Sequence, residues 1–184
     1  MLAAARKCIE QGTGQKGTES DLSLAHSFTA GIFNDRGLYS EALNEAQQAT
    51  SLEPTNPWYF DDMARALVGL QRYTEAVSSA QAALRLSDGK YGSMHFTLGS
   101  AYFDLKNWQL AEQSFREAAQ MDPKEPTSAY NVALCLQDMG DFSDAVTWYQ
   151  EYLRRAPDVS DRDQVLARIA ALQNQEEGLM ERKP

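Results

Sequence analysis

The residues able to do chemistry are few. His26 and His95 are the only histidines, and they stand 69 positions apart with no cysteine or carboxylate grouping beside either. A zinc site needs four donors converging within about 2 Å of one ion, so this pair predicts neither a metal centre nor a catalytic dyad. Asp61-Asp62 is the one adjacent carboxylate pair in the region of interest. Neighbouring helix residues point about 100° apart, so the pair predicts a first-turn or surface role rather than an acid/base couple. Cys8 and Cys135 lack the CxxC spacing of a metal or redox site and are expected to be reduced thiols. No P-loop, GxSxG, HExxH or dinucleotide fingerprint occurs. The reading is a non-enzymatic chain with no catalytic residues, no metal and no cofactor.

Charge narrows the partners. The chain carries 17 basic and 26 acidic residues, a formal net charge of -9. Residues 23–159 alone hold 10 basic against 18 acidic, or -8, so the imbalance belongs to the body and not to a tail. An acidic body repels phosphate backbones, which argues against nucleic acid. No run approaches the ~18 apolar residues that would span a bilayer. Leu2 to Ala5 precede Arg6 and Lys7, the reverse of a signal peptide's order. A cytoplasmic monomer without membrane insertion is expected.

What positions any functional side chain is a repeat. Ala30, Ala64, Gly99 and Ala133 are separated by 34, 35 and 34 residues. Ala42, Ala76, Ala111 and Ala145 keep the same steps, as do Pro54, Asp88, Pro123 and Pro157. A fixed period of this size implies stacked supersecondary units. A further column reads Tyr39-Ser40-Glu41, Tyr73-Thr74-Glu75, Trp108-Gln109-Leu110 and Phe142-Ser143-Asp144. A hydroxyl followed by an acid suits a helix start, which places helices from near residues 40, 74, 109 and 143. Each unit holds two apolar stripes of helical spacing. In the first unit these are His26, Thr29, Ala30 and Phe33, then, after Asp35-Arg36-Gly37, Tyr39, Ala42, Leu43, Ala46 and Ala49. Small residues at Ala30 and Ala42 allow close helix approach, and the prolines end units. The extra residue, 91, falls in Ser87-Asp88-Gly89-Lys90-Tyr91-Gly92, where the glycines can absorb it.

The third unit, His95, Leu98, Gly99, Tyr102, Ala111, Phe115, Ala118 and Pro123, resembles the tetratricopeptide repeat most closely. The second unit (Phe60, Met63, Ala64, Leu67, Ala76, Ala80, Ala83, Asp88) and the fourth (Ala129, Val132, Ala133, Leu136, Ala145, Tyr149, Tyr152, Pro157) share its pattern. The resemblance covers residues 23–159, about three quarters of the chain. It implies an all-α fold, a right-handed α-solenoid of helix-turn-helix repeats. The units are 23–56, 57–91, 92–125 and 126–159. A C-terminal capping helix over 160–175, introduced by Ser160-Asp161-Arg162-Asp163 and carrying Val165, Leu166, Ile169 and Leu172, precedes a flexible tail at 176–184. Residues 1–22 are expected to hold an N-terminal helix from Leu2 to Gln11, a cap or the remnant of a longer array, and a flexible loop.

On each first helix, unit positions 4, 7, 8 and 11 form the packing stripe, and positions 2, 5, 9 and 12 point the other way. The resemblance implies that this second face lines a concave groove. It carries Leu24, Ser27, Gly31 and Asn34; Trp58, Asp61, Arg65 and Val68; Ser93, Phe96, Ser100 and Phe103; and Thr127, Tyr130, Leu134 and Gln137. The expected peptide-binding residues are Leu24, Asn34, Trp58, Asp61, Arg65, Phe96, Ser100, Phe103, Tyr130, Leu134 and Gln137. Asp35, Asp61, Asp104 and Asp138 would form a mildly acidic rim. Some family members clamp a chaperone's terminal carboxylate with Lys and Asn. This chain has Ser27, Gly31, Asp62 and Thr97 at those places, with only Asn131 matching, so that partner class is disfavoured. The expected function is an interaction scaffold or adaptor for a protein or peptide segment with apolar and basic residues. The alternatives are the repeat region of a larger enzyme or of a secretion or assembly machine, or a secretion chaperone of this repeat type.

Overall fold

A computed structural model describes residues 19–180, with side chains to residue 178. The expected N-terminal helix, its loop through residue 18, Cys8 and the last four residues lie outside the described residues. Among the described residues every regular element is a helix: α1 (Glu19–Asp35), α2 (Tyr39–Leu52), α3 (Pro57–Gly69), α4 (Tyr73–Ser87), α5 (Gly92–Asp104), α6 (Trp108–Met121), α7 (Thr127–Met139), α8 (Phe142–Arg155) and α9 (Arg162–Met180). The backbone divides into two compact units, Met1–Ala101 and Tyr102–Pro184.

In the first unit α1 packs on α2, α3 on α4, α2 on α3, and α1 on α3. Its core gathers Phe33, Ala42, Leu43, Ala66, Leu67, Ala76 and Ala101, flanked by Met63, Val68, Leu70 and Val77. In the second unit α6 packs on α7, α7 on α8 and α8 on α9. The small-residue columns lie inside the packed helices: Ala30, Ala42, Ala64, Ala76, Ala111, Ala133 and Ala145 are all fully buried.

The second helices begin at Tyr39, Tyr73, Trp108 and Phe142, one residue before the expected starts, and the expected hydroxyl caps are not used. No side chain caps any of these four helices. The turns are built from backbone instead. Leu38 N–H donates to Phe33 C=O, Arg72 to Leu67, Asn107 to Tyr102 and Asp141 to Leu136, each at 2.9 Å, spanning a left-handed residue at Gly37, Gln71, Lys106 or Gly140. This six-to-one bond closes a helix C-terminus without a side chain. Only two of the four units place glycine, the residue that adopts positive φ without steric cost, at the left-handed position.

Where the second unit lacks its proline, the chain turns through two consecutive left-handed residues, Asp88 and Gly89, and absorbs the insertion before α5 begins at Gly92. Two expected boundaries move. The first helix starts at Glu19, ahead of the expected unit start at 23, and α9 runs to Met180, five residues past the expected cap. The stretch Gln173-Asn174-Gln175-Glu176-Glu177 contains no proline or glycine to stop it. Val165, Ile169 and Leu172 of α9 are buried, whereas Leu166 is exposed. Arg168 donates to the Tyr149 hydroxyl at 3.1 Å and lies over that ring, so α9 packs against the middle of α8.

Candidate functional site

The first-helix face of the first unit contains a cleft of about 250 Å³ lined by Asn34, Tyr39, Arg65, Val68, Gly69, Phe96, Thr97 and Ser100. Four of the expected groove residues, Asn34, Arg65, Phe96 and Ser100, thus meet in one place. Repeat geometry explains this, because equivalent faces of α1, α3 and α5 supply them. The rest of the cleft comes from Tyr39 and Gly69. A Cβ on Gly69 would lie 2.3 Å from Tyr39 Cδ1 and 2.4 Å from Cγ, so the ring rests directly on the helix backbone. The corresponding residues of the other units are Asp35, Asp104 and Asp138, and that departure was the available signal for Gly69.

The polar groups beneath the face are more deeply placed than expected. Asp61 is 5% exposed, so it is no rim residue; its Oδ1 has no hydrogen-bond partner, and the Thr97 hydroxyl on α5 donates to the Ser93 carbonyl at 3.1 Å. Burial pushes the Asp61 pKa up to about 7, with the Asp62 charge adding to the rise and Arg65 opposing it. Asp62 is no surface residue either. It accepts from Ser27 Oγ at 2.7 Å, and burial raises its pKa to about 6 despite the Ser27 bond and Arg65. Asn34 is 7% exposed, and its Nδ2 donates to the Asp62 carbonyl at 3.0 Å. Ser27 and Asn34 thus tie Asp62 of α3 to α1. Arg65 ties the exposed Asp35 at 2.8 Å and approaches Asp62 at 3.8 Å.

The remaining expected residues separate. Leu24 is 54% exposed. Trp58, presented by the Asn56 cap and Pro57 at the head of α3, is 42% exposed and leans on Tyr91 with centroids 4.7 Å apart. In the second unit Phe103 packs edge-on against Trp108 and Phe115, and Tyr130 against Tyr149 and Tyr152. Gln137 accepts from the Tyr149 hydroxyl at 3.0 Å, and Leu134 is half-buried. Phe103, Tyr130 and Gln137 thus serve packing within their own unit. His26 lies 2.6 Å from Glu45 Oε2 on the partner helix of its hairpin. His95 donates to the Gly89 carbonyl at 3.2 Å. Among the described residues no three His, Cys, Asp or Glu side chains converge as metal ligands. Burial pushes the Cys135 thiol up to about 12, which suppresses the reactive thiolate.

The tetratricopeptide repeat family model matches residues 62–126 and 96–160, together more than half of the chain. The chain belongs to the tetratricopeptide repeat family. It is 34% identical to mouse (Mus musculus) DnaJ homolog subfamily C member 7 over 124 residues, 67% of this chain and 24% of that protein. It spans about a quarter, or less, of the length of the curated relatives it matches. Among solved structures, YrrB, described as "a TPR protein with an unusual peptide-binding site", superposes with a TM-score of 0.74 at 18% identity, covering 96% of this chain and 86% of that one. A chain of the APC/C hetero-tetramer Cut9-Hcn1 superposes with a TM-score of 0.79 at 18% identity, covering 91% of this chain and 32% of that one. At these identities the likeness establishes the fold, an all-α helical-repeat solenoid. Among the described residues no helix is long and apolar enough to cross a membrane.

Proposed function

We propose that this chain is a non-enzymatic interaction module that holds a segment of another protein against the first-helix face of its first unit. The observation that carries the reading is the cleft walled by Tyr39, Val68 and Phe96. Its volume suits one or two side chains of a partner, and clefts of this kind combine apolar walls with a few polar groups that set orientation. Arg65, Ser100 and Asn34 supply those polar groups here. Exposed Trp58 and Leu24 offer further apolar contact on the same unit, and the acidic body favours a segment that also carries Lys or Arg. A second reading, a repeat region serving a larger assembly, is favoured by the small share of each curated relative that the chain spans and by the likeness to a chain of the Cut9-Hcn1 hetero-tetramer.

The test is selection of a displayed random-peptide library on the purified chain, followed by titration of the enriched peptides. The expected peptides combine apolar and basic residues. Phe96→Ala should weaken them about tenfold or more, a loss of ~1.4 kcal/mol, with helicity retained. Enriched peptides that bind Phe96→Ala as tightly as the wild type would place recognition elsewhere.

A further inference from the structure

Besides its buried stripe, α1 carries a second apolar one. Leu24, Phe28 and Ile32 recur every four residues and so lie along one face of the helix. Leu24 and Phe28 are 54% and 47% exposed, and Ile32 is half-buried. The repeat itself shows what this face meets in a later unit. One repeat on from Ile32 stands Ala66 of α3, fully buried in a core that it shares with Ala42 and Leu43 of α2, the second helix preceding α3. The later counterparts, Ala101 and Cys135, are fully buried as well. In α1 the same position holds a larger apolar residue, and Phe28 stands one turn before it, where the later units have Asp62, Thr97 and Asn131. Three large apolar residues in register mark a surface that is covered rather than one that faces water.

Residues 1–18, outside the described residues, lead directly into α1, and their sequence supplies a matching surface. On a helix from Leu2 to Gln11, Leu2, Ala5 and Ile9 fall within about 60° of one another, and Arg6 borders them. Charge matches too. Residues 1–18 carry Arg6, Lys7 and Lys16 against Glu10, a formal +2 in a chain of -9. The α1 stripe is bracketed by the exposed acids Asp21 and Asp35, with Glu19 beyond, and residues 19–35 hold no lysine or arginine. Residues 12–18, which include Gly12, Gly14 and Gly17, separate the two stretches, a length that commonly joins neighbouring antiparallel helices. A helix of residues 2–11 would be about 15 Å long, and Leu24 to Ile32 spans about 12 Å, so the one can cover the other.

We propose that residues 2–11 dock as a helix on the Leu24, Phe28 and Ile32 stripe, antiparallel to α1, and form the N-terminal cover of the first unit. Leu2, Ala5 and Ile9 meet the apolar residues, and Arg6 reaches the acids that bracket them. The segment does for α1 what α2 does for α3. The inference stands apart from the proposed function, since the cleft is on the α3 side of α1, where Asn34 donates to the Asp62 carbonyl. Only Leu24 is claimed by both.

Cys8 makes the test direct. Cys135 is fully buried and burial pushes its thiol up to about 12, so a thiol-reactive nitroxide attaches at Cys8 alone. In the nitrogen-15-labelled full chain, paramagnetic relaxation should be strongest at the Leu24, Phe28 and Ile32 amides and weak at the exposed Ser78 of α4. Ile9→Asp should lower the melting temperature by about 3 °C or more and even out the relaxation, whereas the conservative Ile9→Leu should do neither. Relaxation spread evenly over the wild-type surface would overturn the proposal, as would an unchanged melting temperature in Ile9→Asp. Equally strong relaxation of α1 when the nitroxide sits on a separate copy without nitrogen-15 would overturn it too, assigning the stripe to a second copy of the chain.

Discussion

Gly69→Ala asks whether the Tyr39 ring really rests on the α3 backbone. Alanine is the better helix former, by about 0.8–1 kcal/mol in a helix interior, so propensity alone predicts stabilisation. The structure predicts the reverse. The added methyl would lie 2.3, 2.4 and 2.5 Å from Tyr39 Cδ1, Cγ and Cε1, well inside van der Waals contact. Cγ is the root of the ring, so no rotation of a flexible tip relieves the clash, and the ring or α2 must move. Overpacking of this kind costs about 1–3 kcal/mol, giving a net loss of about 1 kcal/mol and a drop in melting temperature of about 2–4 °C. The control is the same substitution in a Tyr39→Ala background, where the three closest clashing atoms are gone and Gly69→Ala should be neutral or stabilising. Urea unfolding of all four proteins completes a double-mutant cycle whose coupling term should exceed about 0.5 kcal/mol. Equal stabilisation by Gly69→Ala in both backgrounds would refute the stacked geometry and remove a wall of the cleft.

Two further outcomes are expected. Gln71, at φ 60°, occupies a left-handed position that holds glycine in two other units, so Gln71→Gly should raise stability by about 0.5–1 kcal/mol, measured as a shifted urea midpoint with unchanged slope. Truncation after Pro157 removes the buried Val165, Ile169 and Leu172 and takes Arg168 from Tyr149, a fully buried ring, and should cost about 3 kcal/mol or more; an unchanged midpoint would show that α9 is not a cap.

The architecture was legible because alanine, aromatic and proline columns recur at 34 or 35 residues, and each column marks a packing event that tolerates few residue types. The groove was legible only in part. Period and helical angle identify the face that leaves the packing stripe, and they brought Asn34, Arg65, Phe96 and Ser100 to one cleft. They do not tell whether a side chain on that face meets solvent or the next helix. Tyr130 meets Tyr149 and Tyr152 on α8, the second helix of its own hairpin, and Asp62 meets Ser27 on the neighbouring first helix α1, because the side chains are long enough to bridge both gaps. The depth of the Asp61-Asp62 pair was hidden for the same reason. Gly69 was visible as an exception among acids in its column, but its meaning needed Tyr39 beside it in three dimensions. The hydroxyls after three of the four aromatics suggested caps, whereas the backbone closes those turns unaided.

The most direct test of the recognition surface is amide chemical-shift mapping of the nitrogen-15-labelled chain titrated with a peptide enriched in the library selection. The account predicts the largest changes at Asn34, Val68, Gly69, Phe96 and Ser100, with smaller ones at Trp58. Changes centred instead on the exposed second-helix residues Asn44, Gln48 and Ser78 would contradict it.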